Sequence, residues 1–279
     1  MCYSSHQVQD LLDLLVRHNE DIPLDVAALE LAKIEFPDLE VEPWIDLLDS
    51  YANELGERIS EEDDGMSYIQ KTNHYLFDEL GFRGNDGDFY SPLNSCLNQV
   101  LMERTGLPIT ISLVYMEIGR RLARPVYGIG MPGHFLVEYD DGDLQRYIDP
   151  FHHGRMLDAG ECLALASRVT GMDLSENMQA LEPVSKRQMA LRMLNNLRAA
   201  YLKSSGWVKA LEVQDLLVQA SPGDATEYRQ RGYLHLQMRH FQQAERDLEK
   251  YLALSPEARD KAEIEKRLKA LRRWAAGLN

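Results

Sequence analysis

Apolar positions in the first ninety residues recur at helical spacing. Val8, Leu11, Leu12, Leu15 and Val16 follow the i, i+3, i+4 intervals of one buried face. A second helix is predicted through Leu29, Leu31 and Ile34, with Asp25 as its cap and Phe36-Pro37 as its stop. Pro43 stands near the first turn of a third, where its missing N–H costs nothing. That helix continues through Leu47, Leu48, Tyr51, Leu55 and Ile59. The acidic run Glu61-Glu62-Asp63-Asp64-Gly65 reads as a loop, and a fourth helix runs from about Met66 to Leu80, stopped by Gly81.

Periodicity then lapses. Residues 82–95 are rich in Gly, Asn and Asp and read as an ordered irregular loop pinned by its aromatic side chains. Helices follow over about Ser95–Thr105 and Ile109–Leu122, and the second is apolar on nearly every face, which places it at the centre of a core. The period next falls to two. Val126–Met131, His134–Tyr139 and Leu144–Ile148 read as strands, the last two joined by the Asp140-Asp141-Gly142-Asp143 turn. A buried helix on a small antiparallel sheet is an α+β arrangement.

Residues 191–256 repeat with a period of 34. Trp207 matches Phe241, Ala210 matches Ala244, Asp215 matches Glu249, Leu194 matches Tyr228, and Ser221-Pro222 matches Ser255-Pro256. Small residues at 210 and 244 let paired helices approach, and Pro222 and Pro256 end the second helix of each pair. Gly232 fits the small-residue pattern, whereas the first unit has Arg198 there. This period is similar to that of the tetratricopeptide repeat. A charged final helix, about Asp260–Ala275, is expected to cap the stack.

Charge sharpens this division. The chain of 279 residues carries a net charge of −15. Residues 1–183 hold 12 Lys and Arg against 34 Asp and Glu, a net −22, and residues 184–279 hold 18 against 11, a net +7. The acidic total argues against a general nucleic-acid binder; a basic segment can meet nucleic acid or an acidic partner, but it is expected rather to dock on the acidic segment or to be a solvated face. No stretch reaches the ~18 consecutive apolar residues of a membrane span. Cys2, Cys96 and Cys162 are widely spaced, with no metal or disulfide pattern, which fits a reducing cytoplasm. Cys2 reads as a plain terminal residue, and no secretory leader is visible.

The candidate chemistry lies at Cys96, His134 and Asp149. His134 opens one predicted strand and Asp149 closes a neighbouring one, so pairing through the Asp-Gly turn brings them within reach. A carboxylate beside a histidine sets its tautomer, and a thiol at a helix start would supply the nucleophile. The long motifs Phe82-Arg83-Gly84-Asn85, Asn94-Ser95, Val100-Leu101, Arg104 through Thr110, Pro132-Gly133-His134-Phe135-Leu136-Val137 and Ile148-Asp149-Pro150-Phe151 resemble the SirB-type transglutaminase-like family, which joins this domain to C-terminal tetratricopeptide repeats.

The resemblance implies a papain-like core over about 82–157 inside a first domain of residues 1–183, with repeats and capping helix over 184–279. It assigns His134 and Asp149 to the family's His and Asp. It also implies a thiol at the start of the core helix, around Pro108 to Thr110, and no Cys stands there. The chain is therefore expected to be a non-enzymatic or degenerate member that binds a protein or peptide through its groove and repeats, with no cofactor. The alternatives are a cysteine-dependent acyl transferase or peptidase using Cys96, and nucleic-acid binding through the repeats. Arg83, Asn85, Asn94, Thr110, Pro132, Gly133 and His152 are expected to shape or line the groove. His152-His153 invite a metal reading, but neighbours on an extended chain point to opposite faces, so one at most would join, and no metal is expected.

Overall fold

The computed structural model describes residues 5–17, 21–60 and 62–277, the side chains of 5–8 and 274–277 aside. Cys2, Glu61 and the Val8 side chain lie outside the described residues. The chain forms two compact units, Met1–Met193 and Leu194–Asn279.

The first unit opens with α1 (Ser5–Leu15), α2 (Leu24–Ala32), α3 (Glu42–Gly56) and α4 (Gly65–Asn73). Leu11, Leu12 and Leu15 are buried as their spacing predicts, but Val16 is 72% exposed, past the end of α1. Asp25 does not cap α2; Pro23 holds that position. The buried Asp25 carboxylate instead meets Arg121 at 2.8 Å and Arg120 at 3.2 Å, tying α2 to the central helix. The fourth predicted helix divides in two. Its second half, His74–Glu79, is a π-helix that buries Tyr75, Leu76 and Phe77 in succession. An α-helix turns consecutive side chains 100° apart, and the wider π turn brings this apolar triplet inward.

The stretch expected to be irregular contains a short strand, β1 (Arg83–Gly84), paired in parallel with β2 (Thr105–Gly106). A 3-10 turn (Pro92–Ser95) and α5 (Leu97–Glu103) stand between them. The central helix α6 (Pro108–Arg121) buries eleven of its fourteen residues, Pro108 to Tyr115 and Glu117 to Gly119. It packs on the sheet β3 (Val126–Ile129), β4 (Leu136–Asp140), β5 (Gln145–Asp149), β6 (Arg155–Leu157), antiparallel throughout and in sequence order. A Cβ on Gly119 would lie 2.7 Å from Val126, so α6 lies close against that face of β3. The opposite face, with Ile129, Leu136, Tyr147 and Leu157, packs on Cys162, Leu163 and Ala166 of α7 (Ala159–Thr170). Neither β6 nor α7 was predicted; β6 is three residues long, with too little pattern to read.

In the region around the unit boundary and beyond, α8 (Lys186–Lys203), α9 (Trp207–Ala220), α10 (Ala225–Gln237) and α11 (Phe241–Leu254) are helices, followed by α12 (Lys261–Gly277). Trp207 and Phe241 start α9 and α11, and Ala210 and Ala244 are completely buried. Ser221 and Ser255 end those helices with nearly the same backbone, φ −132° and ψ 64° against φ −132° and ψ 70°. A Cβ on Gly232 would lie 3.0 Å from Leu248. One period earlier stand Arg198 and Gln214. Arg198 Nη1 donates to Gln214 Oε1 at 2.5 Å and to Glu227 Oε2 at 3.2 Å, so a buried polar cluster replaces the glycine-on-leucine contact. Leu248, Tyr251, Ile264 and Leu268 join α11 to α12. Among the described residues no helix is long and apolar enough to cross a membrane.

Candidate functional site

Asp149 ends β5 with its side chain 2% exposed. Its Oδ2 accepts hydrogen bonds from His134 Nε2 at 3.0 Å and from His152 Nδ1 at 2.7 Å, and its Oδ1 accepts the His152 backbone N–H at 3.3 Å. Burial pushes the Asp149 carboxyl up, but the hydrogen bonds and charge of His134 and His152 outweigh it and hold the group below the usual carboxylate range. An ionised carboxylate only accepts, so both ring nitrogens that face it carry protons. In neutral His134 the basic nitrogen is then Nδ1.

His134 lies on the turn before β4 rather than on the strand itself. Gly133 has φ +74°, and a Cβ there would lie 2.4 Å from Val169 Cγ1, so glycine is required on both counts. The carbonyls of Met131 and His134 accept from Arg192 Nη2 at 2.8 and 2.7 Å, and the guanidinium lies over the Phe135 ring. These contacts turn the chain away from the strand and hold His134 over Asp149. Arg192 lies 58 residues beyond His134 on a helix read as part of the repeats, and no sequence signal joins the two.

Phe151 packs edge-on against His134, with ring centroids 6.0 Å apart, and Phe89 packs on Phe151 at 6.2 Å. Gly84 makes this possible: a Cβ there would lie 2.5–2.6 Å from three Phe151 ring atoms. Arg83 beside it is exposed, and its guanidinium has no partner among the described residues. Asn85 and Asn94 are joined to each other at 2.9 Å, and Asn94 Nδ2 holds the carbonyls of Asp88 and Phe89. They shape the loop that carries Phe89.

Thr110 is completely buried at the start of α6. Its Oγ1 accepts the Leu107 N–H at 2.9 Å and faces the carbonyls of Asn94 at 2.9 Å and Leu107 at 3.1 Å, so the hydroxyl fastens the helix start. Cys96 is also completely buried, with Sγ 3.6 Å from the Pro92 carbonyl oxygen. Of the two adjacent histidines, His152 joins Asp149, whereas His153 has φ +56° and is exposed. The chain here is a 3-10 turn rather than a strand, and an i, i+3 spacing on such a turn brings Asp149 and His152 to one side. His134 Nε2, Asp149 Oδ2 and His152 Nδ1 all lie within 4.8 Å of one another.

Residues 42–195 match the model of the transglutaminase-like superfamily, and residues 197–269 match a tetratricopeptide-repeat model. Among similar proteins is a "UPF0162 protein" of Xylella fastidiosa, 36% identical over 243 residues, which cover 85% of this chain and 86% of that one. Protein SirB1 of Salmonella typhimurium is 23% identical over 234 residues, 83% of this chain and 85% of its own. Human F-box only protein 21 is 35% identical over 137 residues, 46% of this chain but 21% of its own. The Xylella match covers most of both proteins, and the superfamily model spans α3, α4, the central helix and the His134–Asp149 pair alike. The chain belongs to the transglutaminase-like superfamily, as a SirB-type member with C-terminal tetratricopeptide repeats.

Proposed function

We propose that this protein is a catalytically degenerate transglutaminase-like module that binds a protein or peptide segment beside His134 and on its repeats. The observation that carries the reading is an unequal site. His134 and Asp149 form a tight, buried pair, but the start of α6 presents Pro108, Ile109 and a Thr110 hydroxyl committed to the helix cap. Acyl transfer needs a nucleophile that a substrate can approach. Complete burial of Cys96 argues against a thiol route, and the occupied hydroxyl argues against Thr110.

The aromatic residues bordering the pair supply a surface for side chains. Phe89 is 40% and Tyr90 53% exposed; Phe89 packs on Phe151, which packs on His134, and Tyr90 packs on Phe89. Some of the basic side chains of the repeats are held in ion pairs: Arg229 with Asp260, Arg231 with Asp215 and Asp247, Arg267 with Glu263, and Arg272 with Glu245.

Two experiments test this reading. Incubated with a fluorescent primary amine and casein as the glutamine donor, the purified full chain is expected to incorporate no amine. Turnover abolished by C96A would establish the enzyme instead. Phage-displayed random peptides panned against the full chain are expected to yield binders that F89A or Y90A weakens. Failure to enrich, or binding indifferent to both substitutions, counts against a recognition surface beside His134.

A further inference from the structure

We infer that His134, Asp149 and His152 form a binding site for one divalent first-row transition-metal ion, with a position left open for an exogenous ligand. The inference stands apart from the peptide-binding reading and does not depend on it. Three features carry it: the identity of the donors, their spacing and their access.

Two imidazole nitrogens and one carboxylate oxygen are the donor set of zinc, cobalt, nickel and iron sites. Calcium and magnesium ask for oxygen ligands alone. A zinc-sized ion bound by nitrogen at about 2.0–2.1 Å and by carboxylate oxygen at about 2.0–2.2 Å holds neighbouring donors about 3.0 Å apart at right angles and about 3.4 Å apart in a tetrahedron. The separations from Asp149 Oδ2 are 3.0 Å to His134 Nε2 and 2.7 Å to His152 Nδ1, and all three atoms lie within 4.8 Å of one another. An outward shift of His152 by about 0.3–0.7 Å, and of His134 by up to about 0.4 Å, therefore admits the ion. Among the described residues no other three His, Cys, Asp or Glu side chains come together in this way.

One side of the cluster is rigid and the other adaptable. Asp149 and His134 are 2% and 8% exposed, and Arg192 fastens the His134 turn. His152 is 52% exposed, so its ring can swing and the ion can enter from that side. Three protein ligands leave at least one position for water or a carboxylate, as in sites that exchange ligands.

Binding replaces two N–H···O hydrogen bonds with metal bonds. Each neutral imidazole passes its proton through solvent to its other ring nitrogen, from Nε2 to Nδ1 in His134 and from Nδ1 to Nε2 in His152. A charged imidazolium releases one proton to bulk.

The test titrates the tag-free full chain, stripped with EDTA, with Zn²⁺ by calorimetry and with Co²⁺ by visible absorption. One equivalent is expected to bind, with d–d bands of mixed nitrogen and oxygen ligation and a raised thermal midpoint. H152A removes an exposed ligand without disturbing the buried pair. It is expected to keep the parent's circular dichroism spectrum and a cooperative melt in EDTA, yet to weaken binding by more than the roughly 10–100-fold typical of losing a supporting residue. His235 and His240 approach each other at 3.4 Å in the repeats, so H240A serves as the control and should bind like the parent. Binding unchanged in H152A, binding lost in H240A, or no saturation by either ion would each overturn the assignment. Peptide capture that persists in EDTA leaves the proposed function intact whichever way the metal test falls.

Discussion

Substituting Arg192 by Ala tests how the candidate site is held. Arg192 Nη2 donates to the carbonyls of Met131 and His134 at 2.8 and 2.7 Å, at the two ends of the turn that carries the imidazole. Removing the guanidinium strands both acceptors, and a buried polar group left without a partner costs about 1–3 kcal/mol. Part of this is offset, because burial disfavours the Arg192 charge and lowers its basicity. Water entering the vacated space offsets more, which leaves a net local loss of about 2–4 kcal/mol. A chain with two units does not unfold in one step, so the readout is native-state hydrogen exchange of the 133–135 amides rather than a global midpoint. At ~1.4 kcal/mol per tenfold, their exchange should accelerate by about 30-fold to nearly 1,000-fold. The central-helix amides should change little. Arg192→Lys, whose single ammonium can serve both carbonyls but cannot stack on Phe135, should recover part of the protection. Exchange at 133–135 in Arg192→Ala within a factor of about two of the parent, under 0.5 kcal/mol, would refute the argument that Arg192 holds His134.

Gly84→Ala drives a methyl into the Phe151 ring. It should destabilise the first unit by about 1–3 kcal/mol and shift the His134 ring resonances in NMR; unshifted resonances would detach Gly84 from the site. Gly133→Ala combines a left-handed backbone with a collision against Val169, and Gly133→Ala/Val169→Ala should recover the steric part alone, leaving about 1–2 kcal/mol of backbone strain. Full recovery in the double variant would show that φ at 133 is not a constraint. The depressed Asp149 carboxyl predicts a pH dependence of definite sign. Its stabilisation is complete above its ordinary value of about 4 and disappears as pH falls through the lower folded value. Asp149→Asn should therefore flatten the acid limb of a melting-temperature profile below about pH 5, and an unchanged limb would place the acid sensitivity elsewhere.

Much of the α+β architecture was legible because its signals are local. The apolar faces of α3 and α6, the Asp-Gly turn between β4 and β5, and the 34-residue spacing from Trp207 to Phe241 depend on residues close in sequence or on exact repetition. The pairing of His134 with Asp149 followed from the same local turn, since antiparallel register brings the ends of β4 and β5 together. Departures occurred where distant contacts overrode local preference. Asp25 left the helix cap for Arg120 and Arg121, about 95 residues away. Arg83-Gly84 became a strand because Thr105-Gly106 lay alongside it.

The sequence by itself determined most of the helical leader, the central helix with the three strands that follow it, the repeat, the family and the two residues that open and close the candidate site. Periodicity and turn chemistry act over a few residues, so they are written in the chain. The tertiary structure decided what surrounds that pair. It brought His152 to the same carboxylate oxygen through a 3-10 turn, fastened His134 with a guanidinium 58 residues away, seated Phe151 over Gly84 and closed Cys96 and Thr110 into the interior. These outcomes depend on how separate elements pack in space, and no local pattern specifies which side chain a carbonyl or a carboxylate will find.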